Sequence, residues 1–502
     1  MSAKPQTQFE MLEATISDAH NAFKNGSLTA RALVDAYLSR IDAYDQQGPS
    51  INAIVSLNDL ATTQADDLDA NFAATGEFTG PLHGIPILVK DNVETAGMAT
   101  TQGTIGLADY RPKGDATVIR KLKEAGAIIL GKTTLPDFAT SWWAYSSLSG
   151  ETRNPYALDR DPGGSSAGSG ASAAANFAMA AIGTDCGGSI RVPSSFDNLV
   201  GIRSTPGLIS RKGAGTLVFF QDTIGPMTRT VTDAVHLFDS MVGYDPDDSL
   251  STHYLAANAP MSYLDALDAD GLVGARIGLV TNALGAEDDP FAAPVNEVVR
   301  GAVKSIEQAG ATVIEMQIPD LMHHITATSM YVNCSKYEIN QFLMARPDAG
   351  IRSFTQMYEQ QRYHPMLDLV DACMSGPEMP EYDPMYYRRL AAREEFARVV
   401  MNSLGIDELD GLVFPSVQVV PPTREQLNER VWTTLTFPTN TLISSQTWMP
   451  AATVPAGFTA DGLPVGLEFL VKPYAEPTMF RFAYAFEQAT LHRRAPASTP
   501  SL

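Results

Sequence analysis

A glycine-rich segment in the first half of the chain places one serine where acyl-transfer chemistry is feasible. Ser189 follows Gly187 and Gly188, so backbone N–H groups can crowd around it without intervening side chains. Fixed N–H donors aimed at the oxygen of a tetrahedral intermediate form an oxyanion hole. Asp185 and Arg191 flank this serine, and the combination indicates a functional loop rather than a purely structural one.

A second candidate is Lys90, which directly follows an apolar run over residues 85–89. Such a run predicts a buried strand. Burial disfavours the ammonium form and lowers the pKa of a lysine, which makes it a usable base. The alternative is a strand-end lysine whose head reaches water, and Lys90 taken alone favours that alternative.

The third candidate is a glycine- and serine-rich segment over residues 161–170, which contains Ser165 and Ser166. It is either an anion-binding or catalytic loop, or a tight loop ahead of a closely packed helix. It lacks the Gly-Lys-Ser/Thr of a Walker A loop. A serine hydroxyl is a weak nucleophile until a base takes its proton. A neutral Lys90 can take a proton from Ser165, which relays it from Ser189, and the reverse path can protonate a leaving amine.

Two linked motifs hold these serines. They are Gly163-Gly164-Ser165-Ser166 and Gly183-Thr184-Asp185-x-Gly187-Gly188-Ser189-Ile190-Arg191-x-Pro193. Together they resemble the signature of the amidase signature family, in the branch of stand-alone peptide and general amidases. Further matching landmarks lie at residues 80–92, 131–133, 221–227 and 462–467. The resemblance therefore extends over nearly the whole chain, strongly over 80–230 and weakly over 240–440.

The resemblance implies a fold class and a reaction. The fold is α/β, the amidase signature fold, in which a large mixed, mostly parallel β-sheet core is covered on both faces by helices. The reaction is hydrolysis of a small-molecule carboxamide to a carboxylic acid plus an amine or ammonia, with esters or carbamates as side substrates. No metal or organic cofactor is implied. The particular amide, the enantioselectivity and a homodimeric state are left open.

Functional residues carry over by position. Ser189 matches the nucleophile that forms the acyl-enzyme, and Lys90 matches the general base. Ser165 matches the third member of the Ser-Ser-Lys triad, a serine preceded by a cis peptide bond, here Gly164–Ser165. Asp185 and Arg191 match residues that orient the loop. The oxyanion hole corresponds to the backbone N–H groups of Cys186, Gly187, Gly188 and Ser189.

The walls of a substrate pocket cannot be carried over, because they fall in the weakly matching region. Aromatic residues near matched segments are the candidates: Trp142, Trp143, Phe219, Phe220 and Trp448. If several of them line the pocket, we expect a substrate with a bulky apolar acyl or amine group. Core packing is the alternative for at least half of them.

Two other enzyme types are alternatives. Ser166 satisfies the Gly-x-Ser-x-Gly pattern of an α/β-hydrolase esterase, but that nucleophile should follow a buried strand directly. Residues 154–162 instead have the composition of a loop. An amidotransferase amidase subunit that acts with a partner on charged tRNA is the second alternative. The net charge of −22 fits a tRNA partner poorly. A non-enzymatic scaffold would have lost one of the three catalytic positions, and all three are intact.

Composition narrows the setting. The 502 residues are 44% hydrophobic and 18% charged, which suits a large packed core. The net charge of −22 disfavours nucleic acid and anionic lipid as partners. Three widely spaced cysteines and scattered histidines give no metal-ligand spacing, and a reducing cytoplasm fits them best. No signal peptide and no membrane span are expected.

Strand and helix patterns alternate along the chain, which predicts βαβ units in one domain over residues 1–502. We expect an N-terminal helical segment over 1–75, the signature core over 80–230, a variable substrate-side region over 240–440 and a C-terminal return to the core over 441–490. Individual expectations include a helix capped by Thr29 and a helix through residues 171–181.

Overall fold

The computed structural model describes residues 9–502. Its strands form short, mostly buried segments along the whole chain. They are β1 (Ile54–Leu57), β2 (Pro86–Lys90), β3 (Ile128–Thr133), β4 (Tyr145–Ser146), β5 (Gly150–Glu151), β6 (Ala180–Asp185), β7 (Val200–Arg203), β8 (Thr223–Thr228), β9 (Arg276–Val280), β10 (Thr312–Met316), β11 (Gly411–Pro415), β12 (Ala451–Phe458) and β13 (Pro464–Leu470).

Helices connect and cover these strands. They are α1 (Ile16–Asn25), α2 (Ala30–Tyr44), α3 (Ala61–Thr75), α4 (Thr117–Glu124), α5 (Ala167–Ala174), α6 (Arg191–Phe196), α7 (Val231–Met241), α8 (Thr252–Ala256), α9 (Ala293–Gln308), α10 (Leu321–Ala327), α11 (Tyr331–Met344), α12 (Phe354–Glu359), α13 (Asp368–Met374), α14 (Tyr386–Ile406), α15 (Arg424–Asn428), α16 (Leu442–Thr447) and α17 (Glu476–Thr490).

Eleven strands form one mixed sheet in the order β1-β3-β2-β6-β8-β7-β12-β13-β11-β9-β10, and β4 pairs with β5 separately. Parallel ladders form two blocks, β3-β2-β6 and β11-β9-β10. The strands between the blocks pair antiparallel. Helices cover both faces of the sheet, so the predicted fold class is confirmed.

Helix expectations are confirmed where caps and periodicity agree. The side chain of Thr29 accepts a hydrogen bond from the backbone of Ala32 and begins α2. The helix expected through residues 171–181 is wrong in its second half. Helix α5 ends at Ala174, Asn176 has a left-handed backbone with φ of 56°, and β6 begins at Ala180. The alanine-rich composition does not separate a buried helix from the buried strand that follows it.

The core divides into a large cluster around the sheet and a second cluster beside the candidate site. The second cluster contains Trp142, Tyr331 and Phe437, and draws mainly on residues between 330 and 437. The expected N-terminal helical segment contains α1, α2 and α3, but it also contributes the edge strand β1. Residues 1–8 of that segment lie outside the described part of the chain. The single-domain division stays a prediction.

Candidate active site

Two neighbouring parallel strands bring the candidate residues together. Strand β2 ends at Lys90 and β6 ends at Asp185, and Val89 pairs with Ile182. The carboxyl ends of parallel strands meet at one edge of a sheet, where side chains of functional sites collect. Helix α5 starts at Ala167, directly after the serine-rich segment, and contacts both strands.

Lys90 is fully buried and points toward the serine-rich segment. Its Nζ donates to Ser165 Oγ at 2.7 Å and to Thr184 Oγ1 at 2.9 Å. Burial lowers the pKa of Lys90 to about 7, although the carboxylates of Asp222 and Asp185 act in the opposite direction. The alternative of a lysine head in water is therefore wrong, and a large neutral fraction of this amine exists near pH 7.

A backbone hydrogen bond joins the segment that contains Ser165 to the loop that contains Ser189. The Gly164–Ser165 peptide bond is cis, as the resemblance implies. The backbone N–H of Ser166 donates to the carbonyl oxygen of Ser189 at 3.0 Å. Among the hydrogen bonds of residues 9–502, none joins the hydroxyls of Ser165 and Ser189. Lys90 is thus hydrogen-bonded to Ser165, whereas Ser189 lines a cavity.

The predicted oxyanion donors do not all have the same environment. The N–H of Gly188 donates to Asp185 Oδ1 at 2.8 Å, so this donor is occupied within the protein. The N–H groups of Cys186, Gly187 and Ser189 have no acceptor within the described chain. The expectation that Gly188 is a free donor is therefore wrong, and Cys186, Gly187 and Ser189 stay candidate donors. The cause is the Asp185 carboxylate, which lies inside the turn and takes the N–H of Gly188.

Close contacts explain the two consecutive glycines. A Cβ on Gly187 would lie 2.0 Å from the hydroxyl oxygen of Tyr331. A Cβ on Gly188 would lie 2.0 Å from Thr441 Oγ1, and Gly188 has a φ of 133° that side chains rarely allow. Thr441 Oγ1 also donates to the carbonyl oxygen of Gly187 at 2.6 Å. Glycine is therefore required at both positions by space, and at Gly188 also by backbone conformation.

Buried arginines hold the Asp185 carboxylate in place. Arg191 Nη2 lies 3.1 Å and Arg203 Nη1 lies 2.9 Å from Asp185 Oδ1, and all three side chains are fully buried. Burial alone would raise the pKa of Asp185, but the two guanidinium groups hold it well below its usual range. The carboxylate is therefore ionised, and it orients the loop through its bonds to Gly188 and Ile190. The predicted supporting roles of Asp185 and Arg191 would use these contacts, and the roles themselves stay predictions.

Arg191 also connects the loop to the C-terminal part of the chain. Its Nη1 lies 2.5 Å from Glu468 Oε1 on β13, and its Nη2 lies 2.8 Å from Ser445 Oγ on α16. A second link runs through Gln221, whose Nε2 donates to the carbonyl oxygen of Cys186 at 2.6 Å. Residues outside the loop therefore hold both the side chain of Arg191 and the carbonyl group of Cys186 in place.

A cavity opens at Ser189. Its inner part, called here the inner cavity, is lined by Ala139, Ser141, Trp142, Cys186, Ser189, Leu217, Tyr331, Leu369 and Thr434. It adjoins a cavity of about 420 Å³, called the outer cavity, which shares Trp142, Tyr331 and Thr434 with it. The lining of the inner cavity is uncharged and largely apolar. The side chains around Ser189 therefore favour an uncharged group at this position.

Only one of the five predicted pocket aromatics lines these cavities. Trp142 does so, and its Nε1 donates to the carbonyl oxygen of Thr434 at 2.8 Å. Trp143 instead packs against Phe437 in the core, with ring centroids 4.5 Å apart. The other three lie elsewhere, and their prediction as pocket walls is wrong: Phe219 beneath Arg211, Phe220 beneath Arg393 and Trp448 beside His253.

Several residues of the site were not predicted. Thr184 bonds Lys90 and also accepts a hydrogen bond from Asn92 Nδ2 at 3.0 Å. Both residues lie inside the matched motifs, so the motifs contained a signal for them. Tyr331 lies in the weakly matching region, where the sequence contains no signal for a site residue. Cys186 is buried, and burial raises the pKa of its thiol well above the usual range, so it is a packed thiol rather than a thiolate.

Within residues 9–502, no three His, Cys, Asp or Glu side chains converge in a way that could hold a metal ion. None of the helices in that range has the length and apolar character needed to cross a membrane.

Comparison with known families and structures assigns the class of protein. The family model described as Amidase matches residues 32–480. The chain belongs to this family, the amidase signature family, and it is an amidase-family enzyme for which amide hydrolysis is supported.

Two curated relatives are amidotransferase subunits. A glutamyl-tRNA(Gln) amidotransferase subunit from Heliobacterium modesticaldum is 35% identical, over 96% of this chain and 98% of the relative. The subunit of the same name from Thermosynechococcus vestitus is 33% identical, over 96% of this chain and 99% of the relative.

Among solved structures, the native peptide amidase from Stenotrophomonas maltophilia has a TM-score of 0.86 with 32% identity, over 98% of this chain and 100% of that chain. Proteins similar to this chain thus include both amidotransferase subunits and a peptide amidase.

Proposed function

We propose that this protein is a stand-alone amidase that hydrolyses carboxamides through an acyl-enzyme on Ser189. One observation carries the proposal: a fully buried lysine with a pKa of about 7 bonds Ser165, next to the loop that presents Ser189 to a cavity. A buried lysine with a lowered pKa, close to a serine that borders a cavity, is an arrangement that suits nucleophilic catalysis.

The proposed reaction begins with attack of Ser189 Oγ on the carbonyl carbon of the amide. The hydroxyl proton passes to Ser165 as the proton of Ser165 passes to the neutral amine of Lys90. This relay requires the two hydroxyls to approach one another, and catalytic hydrogen bonds of this kind tighten when substrate binds. The N–H groups of Cys186, Gly187 and Ser189 stabilise the oxyanion.

Collapse of the tetrahedral intermediate breaks the C–N bond. The proton on Lys90 returns through Ser165 to the leaving nitrogen, which departs as a neutral amine or ammonia. Water then attacks the ester of Ser189 by the same route, and the products are a carboxylic acid and the restored serine. No cofactor is needed for the balance of atoms and electrons.

The experiment that tests this proposal is fluorophosphonate labelling of the purified chain, followed by peptide mapping. We expect the label on Ser189, and we expect Ser189→Ala to remove it. Ser166→Ala is the matched control, because Ser166 is also buried but bonds the backbone of Thr184. Label on Ser166 would instead support an esterase, although residues 152–166 contain no strand that could lead into such a nucleophile.

The second candidate is an amidotransferase subunit, and the curated relatives of that name favour it. If the second function used free glutamine as its ammonia donor, the cavity would have to accept the α-carboxylate and the α-ammonium group of glutamine. No carboxylate side chain lines the inner or outer cavity to pair with an ammonium. Ammonia release from glutamine by the chain alone, or only with an added partner, distinguishes the two functions. Label on Ser189 without a partner favours the stand-alone enzyme.

The setting is proposed on chemical grounds. All three cysteines, Cys186, Cys334 and Cys373, are free and buried. Free thiols fit a reducing compartment, so we propose a cytoplasmic location and a small-molecule substrate.

A further inference from the structure

The outer cavity contains one charged side chain. Arg389 lies on helix α14 and lines the cavity, whereas the other lining side chains are apolar, aromatic, hydroxyl or carboxamide groups. The chain carries a net charge of −22, so carboxylates outnumber basic groups overall. The one charged side chain that lines this cavity is therefore positive, whereas the protein as a whole is negative.

The guanidinium group of Arg389 makes few polar contacts within the protein. Its Nη1 makes one long contact of 3.4 Å with the carbonyl oxygen of Ser329. Its Nε is buried without a partner, and no carboxylate within residues 9–502 forms an ion pair with it. A guanidinium group presents five donors, and leaving buried donors unpaired costs free energy. Most of the donors of Arg389 are thus available to a ligand.

Each carboxamide side chain of the same cavity already has at least one hydrogen-bond partner. Gln418 Nε2 donates to Asn440 Oδ1 at 3.0 Å, and Asn440 Nδ2 donates to two backbone carbonyls. Gln446 accepts a hydrogen bond from Thr328, and Asn333 donates to Asp383. Arg389 is therefore the polar group of the cavity that still lacks a partner of matching charge.

We propose that the enzyme prefers amides that carry a carboxylate away from the scissile bond, and that Arg389 binds this carboxylate. The inference rests on the proposed function, since it assumes that the amide is cleaved at Ser189. The apolar surroundings of Ser189 contact the part of the substrate next to the amide, and the outer cavity holds the charged end. Arginine binds carboxylates in a two-point geometry that gives specificity as well as affinity.

The test compares substrates that differ only in this charge. Glutaric acid mono-p-nitroanilide carries a carboxylate on the acyl side, and 5-oxohexanoic acid p-nitroanilide is its neutral counterpart. Benzoylglycine and N-propylbenzamide form the corresponding pair on the amine side. We expect one charged member to have a KM lower by ~10- to 100-fold than its neutral counterpart, the range of a charge-assisted hydrogen bond, with little change in kcat.

The variants assign the effect to one residue. Arg389→Gln should raise KM for the charged substrate by that factor and leave the neutral substrate unchanged, while Arg389→Lys should restore part of the preference. Arg388→Gln is the matched control, because Arg388 precedes Arg389 on α14 but is exposed and does not line the cavity. Equal KM values within both pairs, or a preference that survives in Arg389→Gln, would overturn the inference.

The proposed amidase activity and the proposed carboxylate site can be refuted separately. If neutral amides are hydrolysed and Ser189 is labelled, but charge has no effect, the amidase proposal stands and the carboxylate site does not. If no amide of the panel is hydrolysed, protection of Ser189 from the fluorophosphonate decides the question. Glutarate monoamide should then protect more strongly than 5-oxohexanamide, and equal protection would reject the carboxylate site.

Discussion

The pH dependence of amide hydrolysis is the sharpest test of the proposed base. Burial lowers the pKa of Lys90 to about 7, so the amine is protonated below that pH and neutral above it. Only the neutral amine can accept a proton from Ser165. With a pKa of about 7, about a tenth of the molecules have a neutral lysine at pH 6, and nearly all have one at pH 9. Acylation of Ser189 should therefore rise about tenfold over this range.

The assay is kcat/KM against pH for an uncharged amide, because this quantity reports the ionisation of the free enzyme. The logarithm of kcat/KM should rise with a slope of one below the midpoint and level off above pH 8. Circular dichroism at each pH confirms that the protein stays folded. A rate that is flat from pH 6 to 9, or that falls, would refute the assignment of Lys90 as the base.

Two variants separate this explanation from a general effect of pH. The carboxylate of Asp222 raises the pKa of Lys90 against the effect of burial, so Asp222→Asn should move the midpoint to lower pH. Lys132 is a second fully buried lysine, on the neighbouring strand β3, and its Nζ faces Asp91 at 3.1 Å instead of Ser165. Whatever activity Lys132→Met retains should keep the midpoint of the unchanged enzyme.

Three further outcomes are expected from single substitutions. Ser189→Ala should lower kcat by at least ~10³-fold, measured on the amide that the enzyme cleaves best. Lys90→Met should also lower kcat by several powers of ten, yet raise the free energy of unfolding by up to ~5 kcal/mol in urea titrations at pH 6. The sign follows because a lowered pKa in the folded state makes the protonated lysine destabilising below pH 7, a penalty that disappears as the pH rises toward 10.5. Gly188→Ala should abolish activity and lower stability by ~1–3 kcal/mol, because its Cβ would clash with Thr441. If Gly188→Ala keeps full activity, the close packing of Thr441 against the loop is not required.

The sequence indicates which candidate catalytic residues lie close together better than it indicates which residues line the pocket. Lys90, Ser165 and Ser189 lie in short motifs whose chemistry is local, and the fold brings Lys90 to 2.7 Å from Ser165. The roles of these residues stay predictions until they are tested. Tyr331 and Arg389 lie on helices far from the motifs, and no pattern in their neighbourhood indicates a cavity. Their positions depend on how α11 and α14 pack, which is a tertiary property.

The fold shows the same division. Alternating strands and helices predict the parallel blocks, because each parallel step needs a crossover connection. The antiparallel centre depends on where β7, β8, β12 and β13 enter the sheet, and β12 follows β7 by about 250 residues. The order of these strands in the sheet is set by long-range packing rather than by local periodicity. The occupied N–H of Gly188 is a further example, since only the turn geometry shows that Asp185 takes it.

The distance in sequence between Arg191 and its partners has a consequence for the growing chain. During synthesis the N-terminal part leaves the ribosome first, and domains generally fold in that order. Glu468 and Ser445 emerge more than two hundred residues after the loop that they anchor. We therefore expect a nascent chain arrested before β13 to contain all three proposed catalytic residues and still resist fluorophosphonate. On this expectation, hydrolytic activity arises only late in translation, after the residues that anchor the loop have emerged.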